Sequence, residues 1–150
     1  MQTLEQFRKK FMVEELKVFS TQDITVSVRP TQITLGSLIV SSNHQAYSFH
    51  ELQDRSNNTT DTTNVFSTIE KLLIKSYAPN LMNIMCLMLV DPIIHFHIFP
   101  RYDSERNFYN ERWLDSCWPK PIDLSNIYPP TPDIILKEIK DDLRKIYMNT

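Results

Sequence analysis

The clearest periodic pattern in the chain lies in residues 62–77. Apolar residues recur there at helical spacing and charged residues occupy the opposite side: Val65, Phe66, Ile69, Leu72, Leu73 and Tyr77 against Glu70, Lys71 and Lys75. A single apolar face of this kind is typical of an amphipathic helix that packs on a core. Spacing also predicts a short helix or an arm over residues 3–11. A last helix is expected to end near Met148, because Thr131-Pro132-Asp133 offers a capping side chain, a proline at the first helical position and an early acid.

Alternating patterns predict strands elsewhere. In residues 24–28 three apolar residues alternate with polar ones, which is typical of a half-buried strand. Residues 17–19 and 37–40 predict two more strands, and Gly36 opens the second of these. The apolar run 84–90 predicts a strand buried on both faces, paired with residues 93–99 through a tight turn at Asp91-Pro92. Together these elements predict a single domain over residues 1–150, of α+β class with an antiparallel sheet.

Two stretches lack periodicity. Residues 53–63 are polar and predict a surface loop. After Pro100 the chain becomes aromatic and proline-rich, and we expect it to wrap the surface without regular structure as far as the last helix. The acids of this stretch, Glu105, Glu111 and Asp115, show no pairing typical of an acid/base couple and are expected to be solvated.

Composition narrows the classes of function. The chain has 150 residues, 41% hydrophobic and 23% charged, which suits one globular domain. A net charge of −2 supplies no basic field for phosphate backbones, so a nucleic-acid partner is not expected. The single glycine excludes the glycine-rich phosphate loops of P-loop and Rossmann proteins.

The cysteines and the apolar runs indicate a compartment. Cys86 and Cys117 make neither a disulfide framework nor a Cys-x-x-Cys metal pair, and both suit a reducing environment. The longest apolar run is about a third of the ~20 residues that a membrane-spanning helix needs. The first ten residues are too polar for a signal peptide. We therefore expect a cytoplasmic protein that has no membrane partner.

The candidate chemistry lies in two histidines. His95 and His97 are two residues apart, so a strand would place both on one face about 6.6 Å apart. Imidazole acts as a nucleophile or a proton donor near neutral pH, and two in fixed register can divide these roles. Arg101 is close enough in sequence to supply charge to phosphate oxygens. The opposite face is apolar and is expected to be buried, which would leave the histidine face partly open.

Two other interpretations of the pair stay open at this point. The histidines can simply cover a sheet face, or they can bind a metal ion. A metal needs a third ligand, which would have to come from His44, His50 or distant carboxylates. We predict neither a metal nor a cofactor.

Residues 93–101, Ile-Ile-His-Phe-His-Ile-Phe-Pro-Arg, resemble the histidine triad signature, His-φ-His-φ-His-φ-φ followed by Pro-Arg. Ile93 stands in place of the first histidine. Residues 27–32, residues 34–40 and the Asp91-Pro92 step follow in the family's order, and residues 115–121 resemble the tail of a compact bacterial group in that family. The similarity runs from about Phe11 to Pro121.

This resemblance implies a homodimer that binds a nucleoside phosphate and acts at its α-phosphate as a hydrolase or transferase. His95 matches the histidine that attacks the α-phosphorus to form a covalent nucleotidyl-histidine, and His97 matches the one that contacts the phosphate and leaving group. The expected nucleotide-binding residues are Arg29, Gln32, Asn83 and Arg101. Diadenosine polyphosphates or adenosine phosphoramidates are the implied substrates.

Ile93 leaves a second hypothesis, a catalytically impaired protein that binds nucleotide without cleaving it. An orienting imidazole is missing at this position, although a backbone carbonyl can still orient His95. Loss of one positioned catalytic group typically lowers a rate by ~10²–10⁴.

Overall fold

The fold is an antiparallel sheet with helices packed against it, seen in a computed structural model that describes residues 1–55 and 61–150. Within these residues the helices are α1 (Leu4–Lys10), α2 (Phe49–Arg55), α3 (Asp61–Tyr77) and α4 (Asp133–Met148). The strands are β1 (Lys17–Ser20), β2 (Ile24–Val28), β3 (Leu38–Ser42), β4 (Leu81–Met85), β5 (His95–Arg101), β6 (Arg106–Phe108) and β7 (Glu111–Trp113). The first five strands form one antiparallel sheet in the order β1-β2-β3-β5-β4, which confirms the predicted α+β class.

The main core lies between one face of this sheet and the helices α3 and α4. Alternate strand residues point to the helices, and these side chains are buried together: Val26, Val28, Leu38, Val40 and Ile98 with Ile69, Leu72, Leu73, Ile135, Ile139 and Leu143. The amphipathic face read from residues 62–77 is therefore the face of α3 that covers the sheet. Gly36 has a φ of 83°, and a Cβ there would lie 2.9 Å from the Tyr77 ring, so glycine lets the chain enter β3 close to α3.

The second face of the sheet is also covered. Helix α1 packs there, where Phe7, Val13, Ile39 and Ile93 form a smaller apolar cluster. The expectation of a half-buried β2 is therefore wrong, because all five of its residues are buried. Alternation shows which side chains face the main core, but it carries no information on what covers the other side.

Strand β4 differs from its prediction. It spans Leu81–Met85 rather than residues 84–90, and it pairs antiparallel with β5, as expected for these two segments. Residues 86–94 join the strands, so the connection is a longer loop and not a tight turn at Asp91-Pro92. Most of the apolar run lies in that loop. The strand itself has the polar Asn83 at its centre, which interrupts the apolar pattern that would have indicated it.

The region after Pro100 contains regular structure that the sequence did not indicate. Strands β6 and β7 form a hairpin whose central residues, Tyr109 and Asn110, have φ values of 50° and 57°. Positive φ at both positions is typical of a type I′ turn, which usually carries Asn-Gly, so the Tyr-Asn pair gave no clear signal.

The start of α4 and the polar stretch also differ from expectation. Pro132 is the N-cap of α4 without a side-chain cap, because the Thr131 hydroxyl instead accepts a hydrogen bond from the backbone N–H of Gln32 at 2.9 Å.

The predicted loop 53–63 is helical at both ends, in α2 and α3, and residues 56–60 lie outside the described residues. Within the described chain no helix is both long and apolar enough to cross a membrane.

Candidate active site

Strand β5 places His95 and His97 on the face of the sheet that α1 covers. His97 pairs with Ile39 of β3 and His95 with Ser41, and Ile39 belongs to the apolar cluster under α1. The imidazole rings of the two histidines are 4.8 Å apart between centroids. Their Nε2 atoms are 3.1 Å apart, so the two rings form one unit.

The hydrogen bonds define which nitrogen carries the proton. His95 Nδ1 lies 2.6 Å from the carbonyl oxygen of Ile93, and a carbonyl only accepts, so Nδ1–H is the donor. In a neutral imidazole the Nε2 atom of His95 then carries a lone pair. His97 must donate its Nε2–H to that lone pair, which leaves His97 Nδ1 as a buried acceptor with no partner among the described residues.

Both imidazoles are held in the neutral form. Burial lowers the pKa of His95 below its ordinary value, against the opposing effects of the Ile93 carbonyl and Asp91. Burial, with the neighbouring His95 and Arg29, lowers the pKa of His97 to about 3. At neutral pH His95 therefore presents an unprotonated Nε2, which is the form that a nucleophile requires.

The histidine face is partly open, as predicted, but the opening is at His97, which is half-buried. His95 is 3% exposed, because Phe7 and Phe11 of the α1 region lie over it with ring centroids at 4.9 and 6.1 Å. Phe11 also lies 6.3 Å from the ring of His97. Helix α1 is therefore one wall of the site, and a reactant can reach the histidines only from the side that α1 leaves uncovered.

That side is a cavity of about 550 Å³. Five segments line it: the end of α1, the start of the β2–β3 connection, the β4–β5 loop, strand β5 and the segment before α4. In that order the lining residues are Lys10 and Phe11; Arg29; Leu87, Met88, Leu89, Val90 and Asp91; His95 and His97; and Leu124. A cavity of this volume is typical of small-molecule sites.

Two cations and one carboxylate contribute charge to this cavity. Lys10 Nζ contacts both carboxylate oxygens of Asp91, at 2.7 and 2.8 Å, and Gln2 also donates to Asp91. Burial would raise the pKa of Asp91, but Lys10 and Gln2 hold it below its usual value. Arg29 donates to the Thr31 carbonyl at 2.6 Å, while its Nε is buried without a hydrogen-bond partner among the described residues.

Gln32 lies outside the cavity lining. Its amide nitrogen donates to the carbonyls of Arg29 and Ser37, and its amide oxygen accepts from the N–H groups of Gly36 and Ser37. The side chain satisfies the backbone of the turn between β2 and β3. It holds the turn that carries Arg29.

Arg101 and Asn83 also lie outside the lining. The Arg101 guanidinium is buried and donates to both oxygens of Asp115, to Asn83 Oδ1 at 2.7 Å and to the Lys120 carbonyl. The structure therefore uses Arg101 to tie β5 to β4 and to the segment after β7. Asp115 is buried in this ion pair, so the expectation of a solvated carboxylate is wrong.

The structure also adds site residues that the sequence did not indicate. Lys10, Phe11 and Asp91 line the cavity, and Lys10 and Asp91 are 81 positions apart. No local pattern could have paired them. The described residues contain no group of three or more histidine, cysteine or acidic side chains arranged for a metal ion. His44 contacts Asp23 at 2.6 Å and His50 lies 3.7 Å from Asp54.

Comparison with known proteins relates this fold to solved structures. Searches of protein-family models and of curated proteins find no match. A histidine triad protein from Bradyrhizobium japonicum is similar with a TM-score of 0.68 at 16% identity, over 89% of this chain and 92% of that one. A histidine triad protein from Marinobacter aquaeolei VT8 has a TM-score of 0.64 at 14% identity, over 92% of this chain and 93% of that one.

The C. elegans NitFhit protein is similar over 88% of this chain and 27% of its own, with a TM-score of 0.64 at 18% identity. At these identities the likeness concerns the fold. It agrees with the resemblance read from residues 93–101. The chain therefore has the fold of the histidine triad proteins.

Proposed function

We propose that this protein binds a nucleoside phosphate in the cavity beside His95 and cleaves it at the α-phosphorus, with His95 as the nucleophile. One observation carries the proposal. A neutral His95 is held by the Ile93 carbonyl with its Nε2 lone pair facing His97, and both histidines line the cavity. This carbonyl belongs to the main chain, so it can orient His95 although residue 93 is isoleucine rather than histidine.

The chemistry balances with water as the second reactant. His95 Nε2 attacks the phosphorus, the Nε2–P bond forms, and the bond from phosphorus to the leaving oxygen or nitrogen breaks. The leaving group takes the electron pair and a proton from water. As Nε2 engages phosphorus, the Nε2–H of His97 is released to donate to a phosphate oxygen. Water then cleaves the nucleotidyl-histidine, releases the nucleoside monophosphate and restores His95.

Positive charge beside the histidines supports an anionic ligand. Arg29 lines the cavity and is close enough to His97 to lower its pKa. The Nε of Arg29 is buried without a hydrogen-bond partner among the described residues, which is costly unless a ligand satisfies it, and phosphate oxygens suit the donors of a guanidinium. We assign phosphate binding to Arg29 and His97, and a positioning role to Gln32, Asn83 and Arg101.

The test detects the covalent intermediate. The wild-type protein is mixed with adenosine phosphoramidate or a diadenosine polyphosphate and quenched, and intact mass spectrometry measures any added adenylyl group while chromatography measures AMP release. We expect His95→Asn to abolish both signals. His50→Asn is the matched control, since His50 is 86% exposed on its side chain and lies outside the cavity.

A second candidate, nucleotide binding without turnover, is favoured by one observation: the aromatic rings of α1 leave His95 only 3% exposed. Calorimetric binding of AMP without adduct or AMP release in the wild type would establish this alternative. Absence of both binding and turnover would overturn both functions.

We also propose that the protein is a homodimer through the outer edge of β4. This strand lies at the end of the sheet, and Leu81, Ile84 and the neighbouring Ile74 of α3 are exposed apolar residues there. An open edge flanked by apolar side chains suits pairing with a second copy. Sedimentation should show a dimer that Ile84→Lys dissociates, and a monomeric wild type would refute the proposal.

A further inference from the structure

The reaction proposed above needs a proton at the leaving group. A nitrogen leaving group departs as an unstable amide anion unless a proton is added to it as the bond to phosphorus breaks. The mechanism above takes this proton from water, but a side chain of the cavity is a better placed source if one carries a transferable proton. The titratable side chains of the lining are Lys10, Arg29, Asp91, His95 and His97.

Four of these side chains are unsuited to this role. The Nδ1–H of His95 is engaged by the Ile93 carbonyl. The pKa of about 3 that burial gives His97 keeps its ring neutral, and its one N–H is assigned to phosphate. Although burial alone would raise it, the pKa of Asp91 is held below its usual value, so this carboxyl group is ionised at neutral pH. Burial lowers the pKa of Arg29, yet a guanidinium stays protonated in proteins.

Lys10 is the remaining titratable side chain of the lining, and its position suits proton donation. An ammonium has three N–H donors. Two of them account for the contacts of Nζ with the two oxygens of Asp91, at 2.7 and 2.8 Å, and the third has no partner among the described residues. The ring centroid of Phe11 lies 5.3 Å from Nζ, and 6.1 and 6.3 Å from the rings of His95 and His97. The free donor is therefore at the histidine end of the cavity.

Asp91 fixes the ammonium at this place. The side chain of Asp91 is 13% exposed, whereas that of Lys10 is 49% exposed. The Gln2 amide also donates to Asp91, at 2.7 Å, so the carboxylate is held between two donors. A lysine has a long side chain with many rotamers, and holding it in one of them costs entropy. The ion pair therefore keeps Nζ beside the cavity, where a solvated lysine would not stay.

We propose that Lys10 is the proton donor to the leaving group and that Asp91 is its positioning residue. The inference rests on the function proposed above and adds the group that completes its first step. As the His95 Nε2–P bond forms, the P–N bond breaks, its electron pair goes to nitrogen, and a proton passes from Lys10 Nζ to that nitrogen. The neutral Lys10 amine then takes a proton from the water that attacks phosphorus. The Nε2–P bond breaks, its electron pair returns to Nε2, and both Lys10 and His95 are restored.

The experiment compares two substrates that differ in whether the leaving group needs a proton. Adenosine phosphoramidate releases an amine, whereas the nitrophenyl ester of AMP releases nitrophenolate, which is stable as an anion. The first turnover of each, at saturating substrate, is followed by rapid quench and intact mass spectrometry of the adenylyl adduct. Lys10→Arg keeps the positive charge and the pairing with Asp91, but a guanidinium does not give up its proton. We expect its first-turnover rate to fall about 10²-fold with the phosphoramidate and less than about threefold with the ester.

Two further variants test the pair, and a third is the control. Asp91→Asn should lower the phosphoramidate rate about tenfold with a smaller effect on the ester, and Asp91→Glu should restore most of the loss. In Lys10→Ala, added ethylammonium should restore the phosphoramidate rate in proportion to its concentration, because it supplies the missing proton donor. Lys9→Arg is the matched control, since Lys9 is exposed in the same helix and does not line the cavity, so both rates should be unchanged.

The outcomes separate the inference from the proposed function. Equal losses with both substrates in Lys10→Arg would mean that Lys10 only holds α1 in place or attracts the anion. Unchanged rates with both substrates would mean that the proton comes from water. Either result overturns the inference and leaves the proposed function standing. A wild type that forms no adenylyl adduct with either substrate overturns the proposed function, and the inference with it.

Discussion

Replacing Ile93 with histidine restores the residue type of the signature, and the structure predicts that this substitution destabilises the protein instead of improving its chemistry. Ile93 is fully buried and packs with Phe7, Val13 and Ile39. Among the residues that pack on this cluster, Tyr47 carries a hydroxyl, and this hydroxyl already donates to the Gln2 carbonyl. An imidazole would therefore lose apolar contacts and find no free hydrogen-bond partner among the residues of this cluster.

The magnitude follows from these two losses. Complete burial of an isoleucine side chain contributes about 1.5–3 kcal/mol, and leaving a buried polar group unpaired costs about 1–3 kcal/mol. We expect Ile93→His to lower the free energy of unfolding by about 3–5 kcal/mol, a large part of the stability of an ordinary domain. The same change should loosen α1, since Phe7 packs in this cluster and also against His95.

Urea unfolding followed by circular dichroism, together with AMP release, tests this prediction. Ile93→Val is the control, because it shortens the side chain by one methyl group, costs about 0.5–1.5 kcal/mol and keeps the main-chain carbonyl that orients His95. A stability of Ile93→His within 1 kcal/mol of wild type, combined with faster turnover, would refute the reasoning. It would show that the position belongs to the reactive site rather than to the support of α1.

Three further predictions address the buried polar groups. Arg101→Met should lower the free energy of unfolding by about 3–5 kcal/mol, because Asp115 stays buried without its partner. The double variant Arg101→Met/Asp115→Leu should recover part of the lost stability. Weaker nucleotide binding at unchanged stability would instead assign Arg101 to phosphate binding. The pKa of His97 is about 3 in the folded protein, and its ordinary value is 6.5. Below pH 6.5 the unfolded state therefore binds more protons than the folded state. The free energy of unfolding should fall as the pH is lowered from 6.5 toward 3, by about 1–2 kcal/mol between pH 6.5 and 5. In His97→Asn the slope of unfolding free energy against pH should be shallower, and an identical slope would contradict the neutral assignment. His95→Ala should cost about 2–3 kcal/mol in urea unfolding, since the ring is enclosed by aromatic side chains, whereas a neutral effect would mean that α1 does not cover the site.

Local periodicity in the sequence predicts much of the fold. The 3.6-residue repeat of α3 and the period of two in β2 and β5 are properties of neighbouring residues. Helix α3 and strand β2 lie where they were expected, and β5 spans His95–Arg101 rather than residues 93–99. The same period places His95 and His97 on one face before any packing is known. Where local signals were weak or displaced, as in β4 and the β6–β7 hairpin, the boundaries were wrong or the strands were missed.

The tertiary structure decided what surrounds the histidines. The partners that matter are distant in sequence: Lys10 meets Asp91 across 81 positions, and Arg101 becomes the buried partner of Asp115. Charge and polarity alone could not separate a phosphate contact from an internal ion pair, because that distinction depends on burial and on the atoms within hydrogen-bond distance. The sequence by itself therefore determined the fold class and the pair of histidines, and only the packing of α1 and the β4–β5 loop around them determined the shape, charge and access of the site.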